Sequence, residues 1–76
     1  MLMDFPEHIE VRPDVMVGKP CFTGTRIAVY LILEKLAAGE TAEQILASYP
    51  QLKPEHIRAS FQYAARLATE EVVLAD

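Results

Sequence analysis

The chain of 76 residues is long enough for one small domain, and its 51% apolar composition excludes general disorder. Seven Lys and Arg residues stand against eleven Asp and Glu residues, so the net charge is −4. This charge excludes a strongly basic nucleic-acid coat protein and disfavours electrostatic binding to a membrane surface.

The sequence pattern contains no segment that would direct the chain through a membrane. The apolar run at residues 27–33 is far shorter than the roughly 20 residues that a transmembrane helix needs. The first residues lack the basic and apolar regions of a signal peptide, and a single cysteine cannot form an internal disulfide. We therefore expect a cytoplasmic protein with one domain over residues 1–76.

Residues 1–27 are predicted to form an N-terminal β-element followed by a loop. Residues 8–12 alternate polar and apolar side chains, as a half-buried strand does. A turn at Asp14 would place a second short strand, residues 15–17, beside the first. The stretch 18–27 is rich in glycine and proline and is expected to be an irregular extended loop.

A Gly-Thr-Arg sequence lies in this loop. Gly24 is expected at positive φ in a tight turn, and Thr25 is expected to form a local hydrogen bond. Arg26 could hold the loop by binding a carboxylate or backbone carbonyls, or it could face a partner; we favour the structural role. The loop residues assigned to structure or to partner contact are Gly18, Pro20, Gly24, Thr25 and Arg26.

Residues 28–74 are predicted to form a helical core. Apolar residues at the spacing i, i+3, i+4, i+7 predict a first helix that ends at Gly39. These residues are Val29, Ile32, Leu33 and Leu36. Thr41 and Gln44 have the spacing of a capping box at the start of a second helix, and Pro50 is expected to end it.

Pro54 is expected at the first position of a third helix, where its missing N–H costs nothing. The stripe predicted to be buried on this helix consists of Ile57, Phe61, Ala64, Ala65, Ala68 and Val72. Ala59 is placed on the opposite, exposed side. The first helix carries surplus apolar side chains, Tyr30 and Leu31, so we expect a homodimer that contacts its second copy there.

A short capped helix, a proline-containing turn and a longer helix are typical of a helix-turn-helix. In that motif the outer face of the second helix enters the major groove, where Arg and Gln bind guanine and adenine edges. The candidate base readers are His56, Arg58, Gln62, Tyr63 and Arg66, with Lys53 on a phosphate. The alternative is that these residues are simply a solvated helix face.

Charge counts against strong DNA binding. Residues 40–76 contain three Lys or Arg and six Asp or Glu residues, a net charge of −3. Few phosphates can be neutralised per copy of the chain, so binding to duplex DNA is expected to be weak for the protein alone.

No catalytic or cofactor site is predicted. Gly18-Lys19 lacks the remaining residues of a phosphate-binding loop. Cys21 is expected to be a small buried residue, and the two histidines have no ligands at metal-binding spacing. The chain is therefore not expected to be an enzyme and not expected to bind a cofactor or a metal.

Three ordered blocks of the sequence resemble a known family. Residues 17–29, VGKPCFTGTRIAV, resemble the signature G-x-P-x-(I/F)-x-G-T-R-I-x-V of the domain family of unknown function numbered 433. Residues 36–46, LAAGETAEQIL, and the YPQL sequence at residues 49–52 resemble its later blocks. The resemblance covers residues 9–65. Lys53 departs from the Ser, Thr or Asp that commonly caps the third helix in this family.

The resemblance implies a small prokaryotic protein with a homeodomain-like helical core and an N-terminal β-element, commonly dimeric. Several such proteins are similar to VapB-type antitoxins that accompany PIN-like ribonuclease toxins. We therefore expect a mainly α, helix-turn-helix domain of three or four helices. Its expected function is that of a dimeric antitoxin-like regulator that binds a toxin and its operator DNA. The alternatives are a protein-interaction adaptor without DNA binding, and an accessory enzyme.

Overall fold

The computed structural model describes residues 6–70, except for the side chain of Glu70. The elements in chain order are β1 (Ile9–Glu10), a 3-10 helix (Met16–Gly18), β2 (Cys21–Phe22), α1 (Val29–Ala37), α2 (Ala42–Ser48) and α3 (Pro54–Glu70). The predicted mainly helical fold with a small β-element is confirmed. Residues 1–5 and 71–76, which include the last part of the predicted helical core and Val72, lie outside the described residues.

The two strands form a small antiparallel sheet. Ile9 lies opposite Phe22, and both side chains are buried in the core. Cys21 forms a further bridge to Ala28, just before α1. The β-element therefore packs its apolar side chains directly against the helices.

The predicted pairing of residues 8–12 with residues 15–17 is wrong. Residues 16–18 form one turn of 3-10 helix instead, and Met16 and Val17 have φ values of 52° and 54°. A strand needs negative φ, so this turn cannot pair with β1. The true partner, β2, lies within the stretch that the sequence suggested was an irregular loop.

The turn that follows β2 is held by its threonine, as predicted. Gly24 has a φ of 80° and donates its N–H to a carboxylate oxygen of Glu10 over 3.2 Å. Thr25 Oγ1 donates to the carbonyl of Phe22 over 2.8 Å and accepts the N–H of Ile27 over 3.0 Å. These bonds fix the conformation of the turn that connects β2 to α1.

The end of α1 is a Schellman motif, in which two N–H groups beyond the helix bind carbonyls of its last turn. Gly39, at a φ of 101°, donates to the carbonyl of Leu36 over 3.0 Å. The N–H of Glu40 binds the carbonyl of Lys35 over 3.1 Å. The predicted stop at Gly39 is confirmed.

The start of α2 is the predicted capping box. The N–H of Thr41 binds Gln44 Oε1 over 2.8 Å, and the N–H of Gln44 binds Thr41 Oγ1 over 3.1 Å. The helix ends at Ser48, two residues before Pro50, and α3 begins at Pro54. Both proline predictions are confirmed.

The core lies between the sheet and the three helices. Its buried apolar members are Ile9, Phe22, Val29, Ile32, Ile45, Leu52, Ile57 and Ala59. Ser60 is also buried, and its hydroxyl donates to the carbonyl of Ile57 over 2.7 Å, so its burial leaves no unpaired polar atom.

The buried face of α3 differs from the prediction by about one residue position around the helix. Ile57 is buried as predicted, but Phe61 is 53% exposed and Ala65 and Ala68 are exposed as well. Ala59, predicted to be exposed, is only 1% exposed. Small side chains such as Ala59 and Ser60 allow close approach of the neighbouring elements, whereas a phenylalanine in their place would keep the backbones apart. The predictions for Phe61, Ala65, Ala68 and Ala59 are therefore wrong.

None of the helices within residues 6–70 has both the length and the apolar character needed to cross a membrane.

Candidate functional site

An apolar groove runs along the outside of α2 and α3. We call it the α2–α3 groove; its volume is about 280 Å³. It is lined by Ala42, Leu46, Pro54, Ile57, Arg58 and Phe61. The ring of Phe61 is half exposed, and Arg58 is the one charged residue in the lining. An exposed aromatic ring beside an apolar groove is typical of a surface that binds a protein partner.

Local sequence signals determine where α2 and α3 begin, and so which side chains line the groove. The capping box at Thr41 starts α2 one residue before Ala42, and Leu46 follows one helical turn later on the same side. Pro54 starts α3, so that Arg58 and Phe61 follow on the outward side of its first two turns. Sequence analysis missed this groove because it assigned Phe61 to the core. A signal was present, since the apolar stripe predicted over residues 57–72 is longer than the nine-residue α1 or the seven-residue α2 can cover.

His56, a candidate base reader, points towards the β-element. Its Nδ1 accepts the N–H of Lys53 over 2.8 Å, and its ring meets that of Phe22 edge to face at 5.5 Å. Burial, together with the nearby charge of His8, lowers the pKa of His56. The imidazole therefore caps the start of α3 in its neutral form, and Lys53 uses its backbone there while its side chain is exposed.

The other candidate base readers lie in three different surroundings. Tyr63 packs partly buried against the core, and Arg58 lies in the α2–α3 groove. Gln62 and Arg66 line a separate cleft of about 600 Å³. The residues that line this cleft are Pro6, Glu7, Gln62, Ala65, Arg66 and Thr69. Arg58, Gln62 and Arg66 nevertheless follow one another at single-turn spacing along α3, whereas Tyr63 and His56 pack inward.

Acidic side chains accompany the exposed part of this set. Glu55 lies in the first turn of α3 and is exposed, and Glu7 lines the cleft that holds Gln62 and Arg66. A carboxylate beside each group of candidate base readers disfavours contact with phosphates.

Arg26 is exposed and is not placed as a clamp. Within residues 6–70 its side chain makes no hydrogen bond or ion pair, and Thr25 supplies the side-chain bonds that hold the loop. Pro20 is fixed differently, because its carbonyl accepts the N–H of Val29 over 3.0 Å. An exposed Arg26 is accessible to a partner, and that role stays a prediction.

A third concave site, which we call the tyrosine pocket, lies between the β-element, α1 and α3. It is lined by Lys19, Pro20, Tyr30 and Tyr63, and its volume is about 390 Å³. The Nζ atom of Lys19 lies 5.5 Å from the centre of the Tyr30 ring. Tyr30 is 44% exposed, while Leu31, its partner in the predicted dimer contact, is half-buried.

Cys21 is the small buried residue that the sequence predicts. Its thiol lies 3.4 Å from the carbonyl oxygen of Lys19 and donates to it, and burial raises the pKa of the thiol. A protonated buried thiol is a poor nucleophile and a poor metal ligand. Across residues 6–70, no group of three or more His, Cys, Asp and Glu side chains converges as a metal site would require.

Comparison with known proteins gives a family and a fold. The family model described as "Protein of unknown function (DUF433)" matches residues 9–64. The uncharacterized protein y4eO of Sinorhizobium fredii is 38% identical over 58 residues; this match covers 76% of the chain and 26% of that protein. The chain thus spans about a quarter of the length of this relative.

A crystal structure of a DUF433 member protein from Anabaena variabilis superposes with a TM-score of 0.77 at 26% identity. The superposition covers 84% of the chain described here and 63% of the Anabaena chain. The mainly helical fold with its small sheet is therefore shared with that protein, and the family resemblance found in the sequence is confirmed.

Proposed function

The chain belongs to the DUF433 family, and on that premise we propose that it is a small antitoxin-like regulator that binds a PIN-like ribonuclease toxin. In this proposal it acts as VapB-type antitoxins do, as a dimer that holds the toxin and contacts operator DNA. The observation that carries the proposal is the α2–α3 groove with its half-exposed Phe61.

The groove favours one kind of partner segment. Its lining is apolar except for Arg58, so it matches an amphipathic helix that inserts apolar side chains beside Phe61. A buried aromatic anchor with one charged neighbour is a common arrangement of the residues that dominate binding energy.

Operator DNA is the second partner in the proposal, in which α2 and α3 act as a helix-turn-helix. Arg58 and Gln62 are exposed on α3 and would read bases, and Lys53 would contact a phosphate. Because Glu55 lies beside them, we expect this binding to be weak until a dimer or a toxin complex supplies more contacts.

A protein-interaction adaptor without DNA binding is the alternative function. It is favoured by the division of the candidate base readers, in which His56 and Tyr63 pack inward while Arg66 lines a cleft with Glu7.

The test is a binding titration with the product of the neighbouring gene. We expect Phe61→Ala to weaken binding at least about tenfold, because anchor residues of an interface cost 2 kcal/mol or more when truncated. Leu67→Ala is the matched control, since Leu67 is another exposed apolar residue on α3 that does not line the groove. Equal effects of the two variants, or no binding to a PIN-like protein, would refute the groove as the toxin site.

A titration against the upstream DNA at low and moderate salt, with and without the neighbouring gene product, separates the two functions. The antitoxin proposal predicts binding that Arg58→Ala weakens. Absence of binding in all four conditions would favour the adaptor.

A further inference from the structure

We propose that the tyrosine pocket binds a small anionic ligand that carries a flat ring, with a nucleoside monophosphate as its simplest form. Lys19 would contact the anionic group, and the two tyrosines would contact the ring. The pocket shares no lining residue with the α2–α3 groove, so this inference does not depend on the toxin contact in that groove. It competes with the predicted dimer contact through Tyr30, because one ring cannot face both a second copy of the chain and a ligand.

The lining of the pocket combines flat and cationic groups. Tyr30 comes from the first turn of α1 and Tyr63 from the middle of α3, so aromatic walls stand on two different helices. Aromatic walls bind planar rings by stacking or by edge-to-face contact, and the Tyr30 hydroxyl can bind a polar ring edge. The volume of about 390 Å³ falls within the range of small-molecule sites, about 300–1,000 Å³.

The charge of the lining selects an anion. Lys19 is the charged residue among the four lining residues, and the first turn of α1 contains no acidic side chain. The Lys19 ammonium lies over the Tyr30 ring, which places this exposed cation beside the pocket.

The pocket walls are preorganised by backbone hydrogen bonds. The Pro20 carbonyl accepts the N–H of Val29, which ties the proline to the first turn of α1. Lys19 donates its N–H to the carbonyl of Met16 over 3.1 Å and accepts the Cys21 thiol at its own carbonyl. A site whose walls are fixed before binding loses little entropy when a ligand enters.

The test is a titration of the full chain with adenosine monophosphate, followed by amide chemical shifts in NMR and by calorimetry. We expect saturable shifts around Lys19, Tyr30 and Tyr63. Inorganic phosphate and adenosine, which each supply half of the ligand, should each bind at least about tenfold more weakly, because neither makes both kinds of contact. A 5′-phosphorylated dinucleotide, compared with its 5′-hydroxyl form, shows whether the end of a nucleic acid is accepted in place of the free nucleotide.

Lys19→Ala should weaken binding at least about tenfold, the loss expected for a hydrogen bond to a charged group. Lys35→Ala is the matched control, since Lys35 is a lysine of α1 that does not line the pocket. Tyr30→Leu should weaken binding and Tyr30→Phe should largely retain it. Equal weakening by the two lysine variants, or no saturable shifts at millimolar nucleotide, would overturn the proposal. An affinity that falls as the protein concentration is raised would show that a dimer covers Tyr30, and would overturn the proposal for the assembled protein.

Discussion

The imidazole rings of His8 and His56 meet edge to face, with their centres 5.2 Å apart, and join the β-element to the start of α3. His56 accepts the N–H of Lys53, and the carbonyl of His8 accepts the N–H of Thr23, the residue that follows β2. Each histidine thus forms a hydrogen bond with the backbone of its own part of the chain, and its ring contacts the ring of the other histidine. An imidazolium at position 56 could no longer accept the Lys53 bond.

We expect the protein to lose stability as the pH falls below about 6.5. The pKa of His56 in the folded chain lies below its ordinary value of 6.5, first because of burial and second because of the His8 charge. The nearby Glu55 carboxylate opposes this shift without reversing it. The unfolded chain therefore binds the proton first, and the free energy of unfolding declines from pH 6.5 down to the folded pKa.

Melting temperatures between pH 5.5 and pH 8 measure this effect, in a range where the acidic residues stay largely ionised. His56→Gln is the control variant, because glutamine can accept the Lys53 N–H without titrating. An equally steep loss of stability in this variant would assign the pH dependence to other groups.

Replacing Val17 with asparagine is expected to raise the free energy of unfolding by about 1 kcal/mol. Val17 is 93% exposed, so its side chain contributes little packing, and its φ of 54° is strained for a β-branched residue. Asparagine tolerates this conformation at lower cost. Urea denaturation gives the difference, and Val17→Thr, still β-branched, should leave stability unchanged. A less stable asparagine variant would contradict the assignment of strain.

Gly24→Val is expected to destabilise the fold by about 1–3 kcal/mol. No heavy atom lies within 4 Å of the position that a Cβ would occupy, so the cost comes from the φ of 80° rather than from a clash. Gly24→Asn should therefore cost less than Gly24→Val. Unfolding curves of the two variants test this order, and a valine variant as stable as the parent would remove the requirement for positive φ.

Ile57 and Phe61, one turn apart on α3, are expected to differ sharply in their contribution to stability. Ile57→Ala should cost about 2–5 kcal/mol, because it opens a cavity in the core. Phe61→Ala should cost less than about 1 kcal/mol, since half of that ring is already in contact with solvent. The two stability losses are compared through the denaturant concentrations at the unfolding midpoints, provided that the variants have equal m-values. Similar losses would mean that α3 buries the stripe predicted from the sequence.

We expect a homodimer, with a mass by light scattering of about twice the chain's 8.5 kDa. Tyr30 and Leu31 on α1 are the predicted contact, and a charged residue at either position should shift the population towards monomer. Tyr30→Glu is the informative variant, because the exposed ring can be replaced without opening the core. A mass of one chain that does not change on concentration would exclude the dimer.

Predictions from the sequence succeeded where the determining interaction is local. Thr41 and Gln44 are three residues apart and form their capping box without help from the core. Gly24 and Gly39 have the positive φ that their turns require. In each case the residues that form the recognisable sequence pattern also form the local structure that the pattern predicts.

Predictions failed where the choice depends on distant residues. The pairing of Ile9 with Phe22 spans a loop whose 3-10 turn has no strong local signal. The orientation of α3 depends on which of its faces fits against α1, and there Ala59 and Ser60 are buried in place of the larger Phe61. Hydrophobicity alone predicts that Phe61 is buried and that Ala59 and Ser60 are exposed. A prediction based on it therefore assigned the wrong face of α3 to the core and missed the α2–α3 groove.

The corner between α1 and α2 has a consequence for the order of folding. Gly39 and Thr41 satisfy the ends of two helices through bonds to residues no more than five positions away in the chain. Such short-range closures cost little loop entropy and can form before the strands meet. The corner is therefore expected to be structured in the folding transition state, so that Thr41→Ala slows folding rather than speeding unfolding, whereas substitutions in β1 chiefly speed unfolding.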